Sequence, residues 1–166
     1  MDARPACQGD ATEISEIHVA SWKEAYSGLL APEDLARISV ERRAAFWSAE
    51  IKEARTRVAL IEGVGFAAAG RQRDTAMIKQ GFAEELYALY VRSAAYGLGA
   101  GLRLFASVLP EAGPGFTATV LDGNARAIRF YERQGGTVIG TLEEQRPGGI
   151  IRERIYGWPA GRGGLA

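Results

Sequence analysis

The run Tyr96-Gly97-Leu98-Gly99-Ala100-Gly101 sets three glycines at alternate positions just where an apolar pattern of helical spacing begins, through Leu98, Leu102, Phe105 and Leu109. Glycine lowers helix propensity, so three of them at a helix start need a reason. Bare backbone N–H groups at a helix N-terminus can close on one anion, and a phosphate is the guest this arrangement suits. A triphosphate-binding P-loop would end in Gly-Lys-Ser/Thr, whereas Gly101 is followed by Leu102 and Arg103. A dinucleotide turn stays open as a rival, with Asp122 at the end of the next strand as its ribose-binding acid. Against it, the third glycine falls one position early and the preceding region is helical with a hairpin.

Other residues could do acid–base or recognition chemistry. Glu84 and Glu85 start an apolar strand, and strict alternation places Glu85 on the same face as Tyr87, Leu89 and Val91, with Glu84 opposite. Asn124 stands where a helix N-cap belongs, and Tyr131 lies on that helix beside Ala127 and Ile128. Glu143 and Glu144 near the last turn fit either an attraction for a cationic amine or a solvated loop. Trp22, Tyr26 and Trp47 suit a pocket wall or core packing. His18, alone on an early helix, reads as structural or exposed, and Cys7 as a small buried residue. The pattern holds no metal-ligand spacing, so neither zinc nor another metal is expected.

The elements that must position these groups follow from periodicity and punctuation. A short strand is expected around Ala3 to Cys7. Asp10 then caps a helix carrying Ile14, Ile17, Ser21 and Ala25 on one side. Pro32-Glu33-Asp34 has the form of a helix start, and the segment through Phe46, Trp47 and Ile51 continues helical in two pieces. Residues 57–62 and 64–70 read as a hairpin turning at Gly63, followed by a polar loop. Residues 84–91 alternate too little to have a wet face and belong at the centre of a sheet. The glycine turn and its helix come next, with Pro110 as the helix stop, then a strand over 116–121 and a helix over 124–134 that ends at Gly135-Gly136. Residues 137–142 and 150–158 form a closing antiparallel pair across Pro147-Gly148-Gly149. The result is an α/β (α+β) domain over 1–160, with a mixed, largely antiparallel central sheet flanked by helices on both faces. Residues 161–166 form a flexible tail.

Two of these segments together resemble the motifs of the GNAT acyltransferase superfamily. Its turn has the form Gln/Arg-x-x-Gly-x-Gly/Ala, matched at Gly99 and Gly101, with Tyr96 standing where the family has Gln or Arg. Its second motif, Asn-x-x-Ala-x-x-Phe-Tyr-x-x-x-Gly, is similar to Asn124-Ala125-Arg126-Ala127-Ile128-Arg129-Phe130-Tyr131-Glu132-Arg133-Gln134-Gly135. The likeness extends to Arg4-Pro5-Ala6, to Ser21-Trp22 and Tyr26, and to Glu85-Leu86-Tyr87, covering nearly the whole chain. It implies an acetyl-CoA-dependent N-acetyltransferase, with acetyl-CoA as donor and no metal. The pyrophosphate would lie on Tyr96, Gly97, Leu98, Gly99, Ala100 and Gly101, and the pantetheine along the backbone of Leu89, Tyr90 and Val91. Asn124, Ala127, Phe130 and Tyr131 would also touch the donor. Tyr131 would serve the departing sulfur, Glu85 would be the general base, often through water, and Leu89 or Val91 N–H would face the developing oxyanion. Trp22, Tyr26 and Glu85 are the acceptor-side candidates. The alternatives are a CoA-binding or sensory module without turnover and, last, an oxidoreductase built on the glycine turn and Asp122.

Bulk composition bounds the partners. Lys plus Arg number 20 and so do Asp plus Glu, so no global field draws in nucleic acid or an anionic membrane. A single cysteine forms no internal disulfide, and neither a signal peptide nor a membrane-spanning run is legible, so a cytoplasmic location is expected. The acceptor is a small-molecule or peptide amine, and exposed edges of the terminal hairpin make a homodimer the expected assembly. The acceptor's identity and the acyl-chain preference are not legible.

Overall fold

The computed structural model describes residues 2–109 and 112–161. Pro110, expected to stop a helix, and residues 162–166 of the expected tail lie outside them. Seven strands form one sheet in the order β1-β2-β3-β4-β5-β7-β6: β1 (Arg4–Pro5), β2 (Thr56–Ile61), β3 (Gly65–Arg71), β4 (Phe82–Val91), β5 (Gly115–Leu121), β6 (Thr137–Arg146) and β7 (Gly149–Trp158). Neighbours are antiparallel except β4 and β5, so the sheet is mixed and largely antiparallel, with β4 at its centre. Among the described residues six α-helices complete the fold: α1 (Ala11–Tyr26), α2 (Pro32–Leu35), α3 (Val40–Glu53), α4 (Thr75–Lys79), α5 (Ala100–Val108) and α6 (Ala125–Arg133).

Helices cover both faces. On one, α1 presents Ile14, Ile17, His18 and Ser21, buried at helical spacing, and with Trp47 of α3 they close over Val58, Leu60, Phe66 and Ala68. On the other, Leu104, Phe105 and Val108 of α5 pack with Tyr131 of α6 on Ala59, Ala67, Ala69, Phe116, Tyr156 and Trp158. Ala67, Ala68 and Ala69 of β3 are all fully buried, and their small side chains let helices come close from both sides.

Several local expectations change. Asp10 precedes α1, but its carboxylate does not cap the helix; it accepts from Arg4 at 2.8 and 2.9 Å and from the Cys7 N–H at 2.7 Å. Cys7 is exposed rather than buried, because it lies in the turn that links β1 to α1. The polar loop before β4 contains α4, whose N-cap Asp74 accepts from Ala76 N–H at 2.8 Å. Glu143 and Glu144 belong to β6 rather than to a loop, and they pair with Arg152 and Arg146. The hairpin turns over Pro147 and Gly148, with Arg146 facing Gly149.

The most consequential departure lies in β4. Ala68 pairs with Ala88 but Ala69 with Leu86, so Tyr87 is an extra residue in the ladder, a β-bulge. Alternation therefore resets. Leu86 joins Leu89 and Val91 against the α5 side, whereas Tyr87 packs with Tyr90 against the α1 side. Glu84 reaches Arg57, which also donates to the Val108 carbonyl of α5, and Glu85 is left on the face of Tyr87. Strict alternation put Glu85 with Leu89 and Val91; the bulge places it opposite them.

Candidate functional site

The parallel pair β4 and β5 runs from Phe82 opposite Gly115, through a register shift before Glu84, only as far as Leu86 opposite Ala118. Beyond that the strands part. Residues 87–91 of β4 keep β3 on one side, while β5 goes on to pair with β7, so the other backbone edge of β4 opens into a cleft. The cleft has a volume of about 670 Å³ and is walled by β4, the C-terminal end of α1, the glycine turn and α6.

The glycine turn takes its shape from backbone conformation. Gly97 and Gly99 both have φ of 80°, a region costly for a residue with a β-carbon, and Gly99 is the N-cap of α5. The first internal bond of α5 is Arg103 N–H to the Gly99 carbonyl, at 3.2 Å. Among the described residues no backbone carbonyl takes the N–H groups of Gly99, Ala100, Gly101 or Leu102, and all four residues line the cleft. They are the orphan donors of a helix start, gathered where an anion can meet them. Gly97, Tyr96 and Ala95 line the cleft too, whereas the Leu98 side chain turns outward, 57% exposed.

Asn124, Ala127, Phe130 and Tyr131 all face the cleft from α6. Asn124 accepts from Ala127 N–H at 3.3 Å, so it caps the helix and lines the cleft at once. Tyr131 is 7% exposed and in ring contact with Phe130, Tyr156 and Trp158, while its hydroxyl has no hydrogen-bond partner among the described residues. Burial, with the Tyr26 phenol nearby as a smaller cause, holds its pKa well above that of an ordinary tyrosine, so it stays protonated. Tyr26 and Tyr90 share the cleft wall, and burial raises both phenols. Leu89 and Val91 complete the β4 edge. Trp22 is not part of the lining; it packs edge-on against Tyr26 at 4.6 Å, and its indole N–H is buried with no partner among the described residues.

Glu85 does not face this cleft. It lies in a second hollow of about 260 Å³ with Gln72, Arg73, Asp74 and Thr117, and Arg73 donates to it at 2.7 and 3.1 Å. Thr119 of β5 lines both hollows, so the two adjoin at the point where the strands part. Asp122, the acid of the dinucleotide rival, pairs with Arg154 at 2.7 Å and is not part of the cleft lining.

Several cleft residues were not singled out from the sequence. Ser21 Oγ and Gln134 Oε1 line it without a hydrogen-bond partner among the described residues, polar groups that a ligand or water must satisfy. Glu24 accepts from Ser93 N–H at 2.7 Å and from Arg92 at 3.1 Å, tying α1 to the end of β4. Arg126 and Arg133 also line the cleft. For Arg126 the signal was present, inside the motif that starts at Asn124. His18 is buried, accepts from the Trp47 indole at 3.3 Å, and lies 4.6 Å from the Tyr90 ring, behind the cleft wall. Among the described residues there is no cluster of three or more His, Cys, Asp or Glu suited to a metal, and no helix long and apolar enough to cross a membrane.

Comparison with known proteins agrees with this geometry. The model of the acetyltransferase (GNAT) family matches residues 11–136. A comparison with curated proteins gives no match. Among solved structures, yncA of Salmonella typhimurium with its cofactor acetyl-CoA superposes with a TM-score of 0.73 at 21% identity, covering 100% of this chain and 97% of that one. A ribosomal-protein-alanine N-acetyltransferase of Brucella melitensis gives a TM-score of 0.69 at 23% identity, covering 96% and 99%. An N-acetyltransferase of Staphylococcus aureus gives 0.70 at 17% identity, covering 95% and 96%.

Proposed function

Because the chain belongs to the GNAT acetyltransferase family, we propose that it transfers the acetyl group of acetyl-CoA to a primary amine of a small molecule or peptide by direct attack, residues 1–160 forming the unit that does so. The observation that carries this reading is the parting of β4 from β5 beside the glycine turn. It leaves an unpaired backbone edge, four orphan N–H donors and the buried phenol of Tyr131 around a single cleft. These features fit the donor: the N–H groups of Gly99, Ala100, Gly101 and Leu102 suit its pyrophosphate, and the free edge of Leu89, Tyr90 and Val91 suits the amides of its pantetheine arm.

Bound acetyl-CoA supplies an activated thioester. An N–H of the β4 edge, at Leu89 or Val91, faces the carbonyl oxygen as negative charge develops there. The acceptor nitrogen must arrive neutral, and on forming its bond to carbon it loses a proton. Glu85 is the carboxylate assigned to receive it. Since Glu85 lies in the hollow beyond Thr119 and is held by Arg73, the proton reaches it through water rather than by direct contact. As the carbon–sulfur bond breaks, Tyr131 donates a hydrogen bond to the thiolate. A phenol kept protonated by burial suits that better than full proton transfer, and the thiolate takes its proton from solvent on release. Trp22 and Tyr26 would shape the acceptor side, Trp22 acting through Tyr26.

The reading extends to a cytoplasmic protein, and to a homodimer formed through β6, an edge strand that exposes Val138 and Leu142. A monomer mass at all concentrations in light scattering would remove the dimer. The transferase reading is tested by calorimetric titration with acetyl-CoA, with NAD and ATP as controls, followed by thiol release with a panel of primary amines. Saturable binding of acetyl-CoA alone and amine-dependent thiol release support it; binding of NAD, or of nothing, overturns it.

A further inference from the structure

Two arginines, Arg126 and Arg133, line the cleft, and Arg126 has no carboxylate. Arg73, Arg92 and Arg154 each hold one, whereas Arg126 pairs with none among the described residues. Its guanidinium instead lies over the ring of Tyr96, 3.7 Å from the centroid. It also occupies the first turn of α6, where the positive end of the helix dipole disfavours a cation. The N-terminus of α5, with its orphan N–H groups, lines the same cleft. Two helix N-termini and an exposed guanidinium with no carboxylate thus face one space, an arrangement that favours an anion there.

Stacking fixes what that guanidinium can do. With one face on the phenol ring, its plane is set and its N–H donors project from the edges, the geometry that suits bidentate contact with a phosphate. The ring provides a cation–π platform, while the turn on which it stands is closed by Tyr96 N–H to the Ser93 carbonyl at 3.2 Å. We infer that Arg126, held flat on Tyr96, clamps the pyrophosphate of acetyl-CoA at the glycine turn and so replaces the Gln or Arg that the family motif carries at position 96. The charge enters from α6 instead of from the turn itself, and Tyr96 is a positioning residue for it. This rests on the transferase reading.

Titration calorimetry with acetyl-CoA and with its 3′-dephospho form tests the assignment. Arg126→Ala should weaken both donors by roughly 10- to 100-fold, the size of a lost charge-assisted hydrogen bond. Tyr96→Ala should weaken them by roughly 3- to 10-fold, the size of a lost cation–π contact. Tyr96→Phe keeps the platform and should recover that loss, and Tyr96→Ala should add nothing once Arg126 is gone. If the thermal transition shows that Arg126→Ala is poorly folded, Arg126→Gln serves in its place. Wild-type affinity in the Arg126 variant, a penalty that vanishes with the dephospho donor, or a Tyr96→Phe variant as weak as Tyr96→Ala would each overturn it. Failure of the unsubstituted protein to bind acetyl-CoA would instead overturn the transferase reading.

Discussion

Acidification from pH 7 to pH 5 should cost this fold about 2 kcal/mol through His18 alone. Burial, with the Arg43 charge as a smaller cause, pushes the imidazole down from 6.5 to about 3. The unfolded chain begins to take up this proton near pH 6.5, while the folded protein refuses it until about pH 3. Between those values the unfolded state binds more protons, so stability rises with pH. The loss is absent above pH 6.5 and grows by about 1.4 kcal/mol for each unit below it. His18 is 5% exposed among Trp47, Phe66 and Tyr90, so solvent screening removes little of this. The perturbation is His18→Gln, whose amide oxygen can still accept from the Trp47 indole. Urea unfolding of both proteins at each pH gives two stability differences. Subtracting them cancels the packing cost of the substitution and the titration of every carboxylate. The advantage of the unsubstituted protein should shrink by about 2 kcal/mol on going to pH 5; a change within about 0.5 kcal/mol, the scale of the extrapolation error, would refute the burial argument.

Tyr131→Phe should lower turnover by roughly 100-fold while the calorimetric affinity for acetyl-CoA hardly moves, because the lost hydrogen bond belongs to the departing thiolate; equal turnover would remove Tyr131 from the chemistry. Gly99→Val places a β-branched residue at φ of 80°, costing about 1–2 kcal/mol and weakening acetyl-CoA by roughly tenfold as the turn relaxes; unaltered affinity would contradict the phosphate assignment. Gly136→Ala would put a β-carbon 2.4 Å from Trp158 Cζ2 and should destabilise the protein by about 1–3 kcal/mol; an unchanged thermal transition would mean that the indole shifts freely.

Much of this was legible in the chain because it is local. The spacing of Leu102, Phe105 and Leu109 describes α5, Asn124 announces α6, and the apolar run before Val91 describes a strand buried on both faces. The glycine turn was legible for the same reason, since a positive φ is written in residue type. What escaped depends on neighbours distant in sequence. Nothing within β4 marks Tyr87 as an extra residue; the room for it is made across the ladder at Gly70, where a β-carbon would lie 2.8 Å from the Tyr87 hydroxyl. Alternation counted along one strand cannot register this, and Glu85 was therefore assigned to the wrong face. Arg126 lay inside a recognised motif, yet its placement over Tyr96 exists only once α6 has docked beside the turn. Ser21 and Gln134 are ordinary polar residues until two helices bring them to one cleft.

The order of the last strands bears on how the chain is made. β7, not β6, lies beside β5, and Trp158 stacks on Phe116 with centroids 4.5 Å apart and planes 6° from parallel. A ribosome that has released β5, α6 and β6 has therefore not yet supplied the strand that joins them. Until residue 158 clears the exit tunnel, β5 keeps a bare edge on the side β7 will occupy, and β6 has nothing in this sheet to pair with. The nascent chain must wait in a state with open strands, which invites chaperone contact or aggregation. Stop codons or frameshifts that fall past the glycine turn and Tyr131 but before β7 should be as damaging as early ones.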